Sequence, residues 1–339
     1  MRARLKPLDQ QTIVLTGASS GIGLATARKA TAKGARLLLA ARNEEALGEI
    51  RRDLEAEGAR VEYVVADVGD PEQVKAIAAQ ALETFGGFDT WINDAAAATY
   101  GTLVATPIED MRRVFETNFW GVVYGSLEAV AHFRDKPGGG KLINVGSVLG
   151  DFAVPEQGIY SASKHALKGF TNALRLELMH DKLPVSVTLI KPSSIATPYK
   201  DHARNYMDDP ARVPPPLYAP EIVAGAILYA AQHEIRDLTV GSAGRQMALL
   251  DTLLPAVADR LYAAFGRPMQ KDLRPGQHIE REGNLYEPMA DGEARSDNRF
   301  VRNFSVYTAA QTHPRTTAAL ALLAGAATVG AIARSRRAA

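Results

Sequence analysis

The stretch Thr16-Gly17-Ala18-Ser19-Ser20-Gly21-Ile22-Gly23 decides how this chain is read. It follows a short β-branched and aliphatic run, 12–16, and opens a helical pattern over 22–33. Glycines at such a junction permit a tight turn and a close backbone approach, while the first helical turn presents unpaired N–H groups. Together they form a cradle for a pyrophosphate, and the placement between strand and helix lifts the motif above an ordinary glycine turn. Gly17, Ser19, Ser20, Gly21, Ile22 and Gly23 are therefore candidate contacts to a dinucleotide.

Outward from this turn the chain alternates. Strand-like runs at 36–41, 61–66, 90–93, 141–146, 185–191 and 238–241 are separated by helical patterns near 43–57, 71–85, 107–134, 157–181 and 220–232. Gly34, Gly58 and Gly86-Gly87 stand where helices should stop, and Pro71 where one should start. This rhythm predicts an α/β fold, a doubly wound parallel sheet with right-handed crossover helices on both faces.

The second strand ends Ala40-Ala41-Arg42, with no acid to accept from a ribose 2′-OH. Arg42 offers a cation to a 2′-phosphate instead, which predicts NADP over NAD. One charge-assisted hydrogen bond contributes ~1.5–3 kcal/mol, a preference of roughly ten- to a hundredfold. The other reading of Arg42 is a solvated residue at a helix start.

A second group of residues carries chemistry. In Tyr160-Ser161-Ala162-Ser163-Lys164 the i, i+4 spacing puts tyrosine and lysine on one helix face, where an ammonium favours the phenolate. Ser147 follows the run 141–146, where its hydroxyl can bond a carbonyl oxygen, and Asn118 is a polar residue inside a helical pattern. Taken singly, each is more often structural. In combination and in this order, the glycine turn, Asn118, Ser147 and Tyr160/Lys164 resemble the short-chain dehydrogenase/reductase family over about residues 10–244.

That resemblance implies a seven-stranded sheet in the order 3-2-1-4-5-6-7 and hydride transfer to or from a nicotinamide. It makes Tyr160 the general acid/base, with Lys164 lowering its pKa and binding the nicotinamide ribose. Ser147 would orient the substrate oxygen and Asn118 hold a water of the proton relay. It also implies cofactor contacts at Asp67, Val68, Asn93, Pro192 and Thr197. Two places depart from the family's pattern: Asn93-Asp94-Ala95-Ala96 stands for Asn-Asn-Ala-Gly, and Pro192-Ser193 for Pro-Gly.

The surroundings of this tetrad are mainly apolar: Ala98, Tyr100, Leu149, Phe152, Ala153, Val154, Tyr199 and Met207. They favour an apolar aldehyde, ketone or alcohol as substrate, although Lys200 and Arg204 lie nearby. Residues 197–220, rich in proline and aromatics, read as a lid over the site or as a packed surface loop.

The rest of the chain sets bounds. Of 339 residues, 39 are Lys or Arg and 38 Asp or Glu, a net charge of +1 that gives no electrostatic case for nucleic acid. The absence of cysteine removes disulfides, thiolate metal sites and cysteine nucleophiles, and no histidine spacing suggests a metal. No apolar run near the start suits a signal peptide, so a cytoplasmic protein is expected and the sequon at Asn303 is read as chance.

The predicted organisation is a catalytic domain over 1–244, an amphipathic helix over 245–265 kinked by Pro255, a polar linker over 266–315, and an Ala/Leu-rich helix with a basic end over 316–339. That last segment is read as a membrane contact, a packed helix or a disordered tail. The family pattern implies a homo-oligomer, dimer or tetramer. The rivals to an NADP-preferring oxidoreductase are a non-catalytic dinucleotide sensor or scaffold of the same fold, and a dehydratase or epimerase using the same Tyr/Lys pair.

Overall fold

The structure, a computed structural model, describes residues 3–274, 279–296 and 300–319. Its centre is a parallel sheet of seven strands: β1 (Thr12–Thr16), β2 (Arg36–Ala41), β3 (Val61–Val65), β4 (Thr90–Asn93), β5 (Gly140–Val145), β6 (Val185–Pro192) and β7 (Asp237–Val240). Their spatial order is β7-β6-β5-β4-β1-β2-β3, the doubly wound arrangement expected. Consecutive residues of a strand face opposite sides of the sheet. Ile13 and Leu15 of β1, with Leu37 and Leu39 of β2, thus enter one core, and Val14 and Leu38 enter the other. Strands buried on both faces explain why these runs are continuously apolar.

The helices begin and end where local chemistry directs. Helix α1 (Gly21–Thr31) springs from the glycine turn, α2 (Glu44–Ala56) is capped by Asn43, whose side chain accepts from Ala46 N, and α3 (Pro71–Phe85) is capped by Asp70. Strand order reverses between β1 and β4, and there the crevice opens. Gly17 makes the turn possible. Its φ is +71°, and a Cβ would stand 2.7 Å from Ala95 Cα and N, so the turn lies directly on the loop after β4.

The helical pattern at 107–134 is interrupted. Helix α4 (Ile108–Phe115) passes through one π-helical turn, Glu116–Trp120, into α5 (Gly121–Asp135). The long α6 (Gly158–His180) and α7 (Pro220–Gln232) complete the cover of the sheet. The stretch 197–220 carries a cis bond at Pro215-Pro216, and Arg204–Asn205 pairs with Thr99–Tyr100.

Beyond β7 the structure differs from the sequence reading. In place of one kinked helix there are two, α8 (Ser242–Leu253) and α9 (Pro255–Met269), because Pro255 takes the first position of a new helix. The polar stretch read as a linker lies against the main domain in its described parts. Asn205 N donates to Arg281 O at 3.1 Å, Asn284 N to His202 O at 2.8 Å, and Ser296 N to Ala196 O at 3.2 Å. Arg295 pairs with Glu221 at 2.8 Å. Gly283, with φ +59°, allows this approach, since a Cβ would meet His202 O and Ala203 C at 2.6 Å.

Further on, Val301–Arg302 pairs with Leu217–Tyr218, and in α10 (Val306–Thr312) Gln311 bonds both backbone groups of Thr239. A shortage of apolar residues excludes a separate core, but it does not prevent docking through backbone hydrogen bonds. The terminal helix expected over 316–339 falls mostly outside the described residues. Among the described residues, no helix is long and apolar enough to cross a membrane.

Candidate active site

Helix α6 brings Tyr160 and Lys164 together one turn apart, both buried at 9% and 2% exposure. Lys164 Nζ donates to Val145 O, at the end of β5, at 3.2 Å and stands 5.5 Å from the Tyr160 ring centroid. Two residues past β5, Ser147 is extended and caps the short turn Val148–Gly150, its Oγ accepting from Leu149 N at 3.1 Å. Ser147 and Tyr199 flank the Tyr160 phenol and favour its ionised form. Tyr199 in turn donates to Gln157 Oε1 at 2.9 Å. Strand end, helix and loop thus converge on one phenol.

Burial governs the ionisation of this cluster. It pushes Tyr160 up to about 12, against the effect of Ser147 and Tyr199, while the Asp94 charge raises it further. Burial also pulls Lys164 down to about 8, with Asp94 opposing. The sequence led us to expect that Lys164 would lower the phenol's pKa; here desolvation outweighs every neighbour. The Asp94 carboxyl is itself pushed up to about 7 by desolvation, opposed by Lys164 and by the Gly23 N–H.

Asn118 sits in the π-helical turn with no exposed surface. Its Oδ1 accepts from Ala97 N at 2.8 Å, and its Nδ2 donates to Ala97 O at 2.9 Å and to Ser163 Oγ at 3.0 Å. The side chain therefore ties the loop after β4 to α6, one turn from Tyr160.

A cavity of about 640 Å³ runs from the glycine turn to this cluster. Gly17, Ser19, Ser20, Gly21 and Ile22 border it at one end, with Arg42, Asp67 and Val68 alongside. At the other end stand Ser147, Tyr160, Lys164, Pro192 and Thr197, with the expected pocket residues Leu149, Phe152, Val154 and Tyr199. Pro214, Pro215 and Pro216 from the stretch read as a lid also border it, as do Met247, Leu261 and Phe265 of α8 and α9.

Four expected residues lie behind the wall. Gly23 packs under the turn, where a Cβ would meet Gly17 O at 2.0 Å. Asn93 is buried, donating to Asn144 Oδ1 at 2.9 Å and accepting from Trp91 Nε1 at 2.7 Å, so it braces β4 from inside. Met207 packs in a cluster with Tyr100, Tyr160 and Ala203. Asn118 acts from behind as described.

Two features escaped the sequence reading. Gln157 and Ser163 hold Tyr199 and Asn118, and nothing in their local pattern marks them. Segment 281–296 also borders the cavity. Arg42 Nη1 donates to Tyr286 O at 2.9 Å and to Leu285 O at 3.3 Å, and its Nη2 bonds Asn284 O. Asp67 is held by Arg113, whose Nε donates to Leu285 O at 3.0 Å.

A doubly wound sheet whose glycine turn shares one cavity with a Ser/Tyr/Lys cluster defines a class, the dinucleotide-dependent oxidoreductases of the α/β type. Residues 11–208 match the family model described as short chain dehydrogenase, and the chain belongs to the short-chain dehydrogenase/reductase family. It is 46% identical over 327 residues to the oxidoreductase YxnA of Bacillus subtilis (strain 168), covering 94% of this chain and 90% of that one. It is 34% identical over 245 residues to 3beta-hydroxysteroid dehydrogenase 1 of Eggerthella lenta, covering 68% of this chain and 90% of that one. A short-chain dehydrogenase/reductase from Burkholderia phymatum, solved in complex with NAD, is similar with a TM-score of 0.65 and 27% identity, over 81% of this chain and 100% of that chain.

Proposed function

We propose that this oxidoreductase interconverts a carbonyl and an alcohol on an apolar substrate, with Tyr160 as general acid/base. The observation that carries the reading is the convergence of Ser147, Tyr160 and Lys164 at one end of a cavity whose other end is the glycine turn. The turn suits a dinucleotide: Gly17 leaves no room for a Cβ, and α1 begins beside the cavity, where Gly21 N–H is met by Glu293 O and Ile22 borders the opening. The backbone of Ser19, Ser20 and Ile22 would hold the phosphates over the turn that Gly17 shapes, with Asp67 and Val68 at the base and Thr197 and Lys164 at the nicotinamide end. When bound, a nicotinamide dinucleotide supplies or accepts the hydride.

The chain's own residues do the rest. Ser147 presents a hydroxyl to the substrate oxygen. Tyr160 gives that oxygen a proton in reduction and takes one in oxidation. Lys164, fixed by Val145 O, keeps a cationic group beside the phenol, and Asn118 sets the distance between the loop after β4 and α6. Leu149, Phe152 and Val154, joined by Phe265 from α9, favour an apolar carbonyl compound over a phosphorylated one.

The NADP preference expected from Arg42 needs a free guanidinium, and both terminal nitrogens already serve carbonyls of 284–286. Exposed Leu127 on α5, with Leu176 and Met179 on α6, supports the expected homo-oligomer, which sedimentation would test.

The deciding experiment is oxidation of NADH and NADPH by purified protein across a panel of aldehydes and ketones, with Tyr160→Phe alongside. Turnover that falls by at least ~10²-fold in the variant, with dinucleotide affinity retained, is the expected result. Turnover unchanged in the variant would remove Tyr160 from the mechanism.

A further inference from the structure

We propose that Asp291, carried in by the C-terminal extension, is the acid that reads the adenosine ribose and tilts this site toward NAD. The inference rests on the dinucleotide reading above and adds a specificity residue to it.

Ser19 Oγ donates to Asp291 Oδ2 at 2.7 Å. Two backbone bonds bracket the contact, Gly292 N to Ser19 O and Gly21 N to Glu293 O, each 3.0 Å, so the carboxylate is fixed beside the glycine turn. Asp291 borders the same cavity as Ser19 and Arg42, yet its side chain is only 9% exposed. The second oxygen, Oδ1, is buried and accepts no hydrogen bond; His202 Nε2 stands 3.4 Å away. A buried carboxylate oxygen without a donor is costly, and a ribose hydroxyl is a donor.

Sites selective for NAD place an acid near the end of the second strand, where it accepts from the 2′-OH and repels a 2′-phosphate. Here β2 ends without one, and the extension brings one to the glycine turn, near enough to Arg42 for the two charges to interact. The groups that would greet a 2′-phosphate are engaged by the same segment: Arg42 with the carbonyls of 284–286, and Asn43 Nδ2 with Met289 O at 2.8 Å. One stretch of chain thus supplies the acid and, through its carbonyls, occupies Arg42 and Asn43.

The test is fluorescence titration of the full-length protein with NADH and with NADPH, for wild type and for Asp291→Asn, which keeps the shape and removes the charge. Wild type is expected to bind NADH about tenfold or more tighter than NADPH, and the variant to lose most of that ratio. A wild-type ratio below this, or in favour of NADPH, overturns the proposal without any variant. A variant that weakens both ligands equally, or leaves the ratio unchanged, overturns it as well, since a merely structural Asp291 would do the same. If neither dinucleotide binds the wild type, the dinucleotide reading itself fails; if both bind with an unaltered ratio, only the role of Asp291 does.

Discussion

The ring of Tyr199 stands edge-on to that of Tyr160, with centroids 5.5 Å apart and planes at 71°. The one hydroxyl proton of Tyr199 goes to Gln157 Oε1 while Tyr160 is neutral and can turn to the Tyr160 oxygen when that phenol ionises, lowering its pKa against the upward push of burial. Tyr199→Phe keeps the ring packing and deletes the hydroxyl, so the phenol of Tyr160 should titrate higher still. In alcohol oxidation, where Tyr160 must accept a proton, the limb of the pH–rate profile governed by that group should move to higher pH. Turnover near neutrality should fall by roughly three- to tenfold, within the range of general acid–base effects. A profile that does not move would show that Tyr199 acts only through packing.

Ser147 has two tasks that can be separated. Its Oγ caps the turn Val148–Gly150 through Leu149 N, and it also favours the ionised form of the Tyr160 phenol. Ser147→Ala should lower kcat by ~10- to 100-fold, as for loss of a donor at the reacting oxygen. The lost cap should cost only about 1 kcal/mol in urea unfolding. A thermal loss with unaltered kcat would reverse the assignment.

Asn118 makes its contribution to stability. It satisfies both backbone groups of Ala97 and reaches Ser163, all out of contact with water. Asn118→Ala leaves buried donors and acceptors unpaired, at a cost of ~2–4 kcal/mol. Urea unfolding measures it, and a loss under about 0.5 kcal/mol, the scale of an ordinary surface substitution, would show that the site relaxes around the gap.

The catalytic half of this molecule was legible because periodicity and punctuation report on regular elements. Apolar runs on β1 and β2 feed two cores alternately, and the glycine turn, Ser147 and Tyr160/Lys164 sit at strand and helix ends that the pattern locates. The π-helical turn at Asn118 left no such trace, since one extra residue in a helix barely disturbs its spacing. Pro255 reads as a kink in one helix, yet a proline fits equally at the first position of a helix, which is where it stands. The docking of 279–296 was invisible for another reason: backbone N–H and C=O groups hold much of it, and every sequence has those. Arg42 illustrates the consequence: the sequence offers its guanidinium to a 2′-phosphate, but its partners in the structure lie in a segment whose composition suggests a linker.

Asp94 offers a test through pH. Its carboxyl, pushed up from 3.8 to about 7 by desolvation, binds a proton more tightly in the folded chain than in the unfolded one. Between those values the folded protein is protonated there and the unfolded chain is not, so this group makes stability fall as pH rises. Below about pH 4 the effect is absent, and above about pH 7 it is complete. Asp94→Asn restores the amide common in this family at that position and abolishes the titration. The melting temperatures of the two proteins should therefore converge in acid and separate in favour of the variant between about pH 4 and about pH 7, above which Lys164, near 8 and held up by Asp94, titrates as well. A wild type that instead gains on the variant as pH rises would mean that attraction to Lys164 exceeds the cost of desolvation, and that Asp94 is ionised in the resting site.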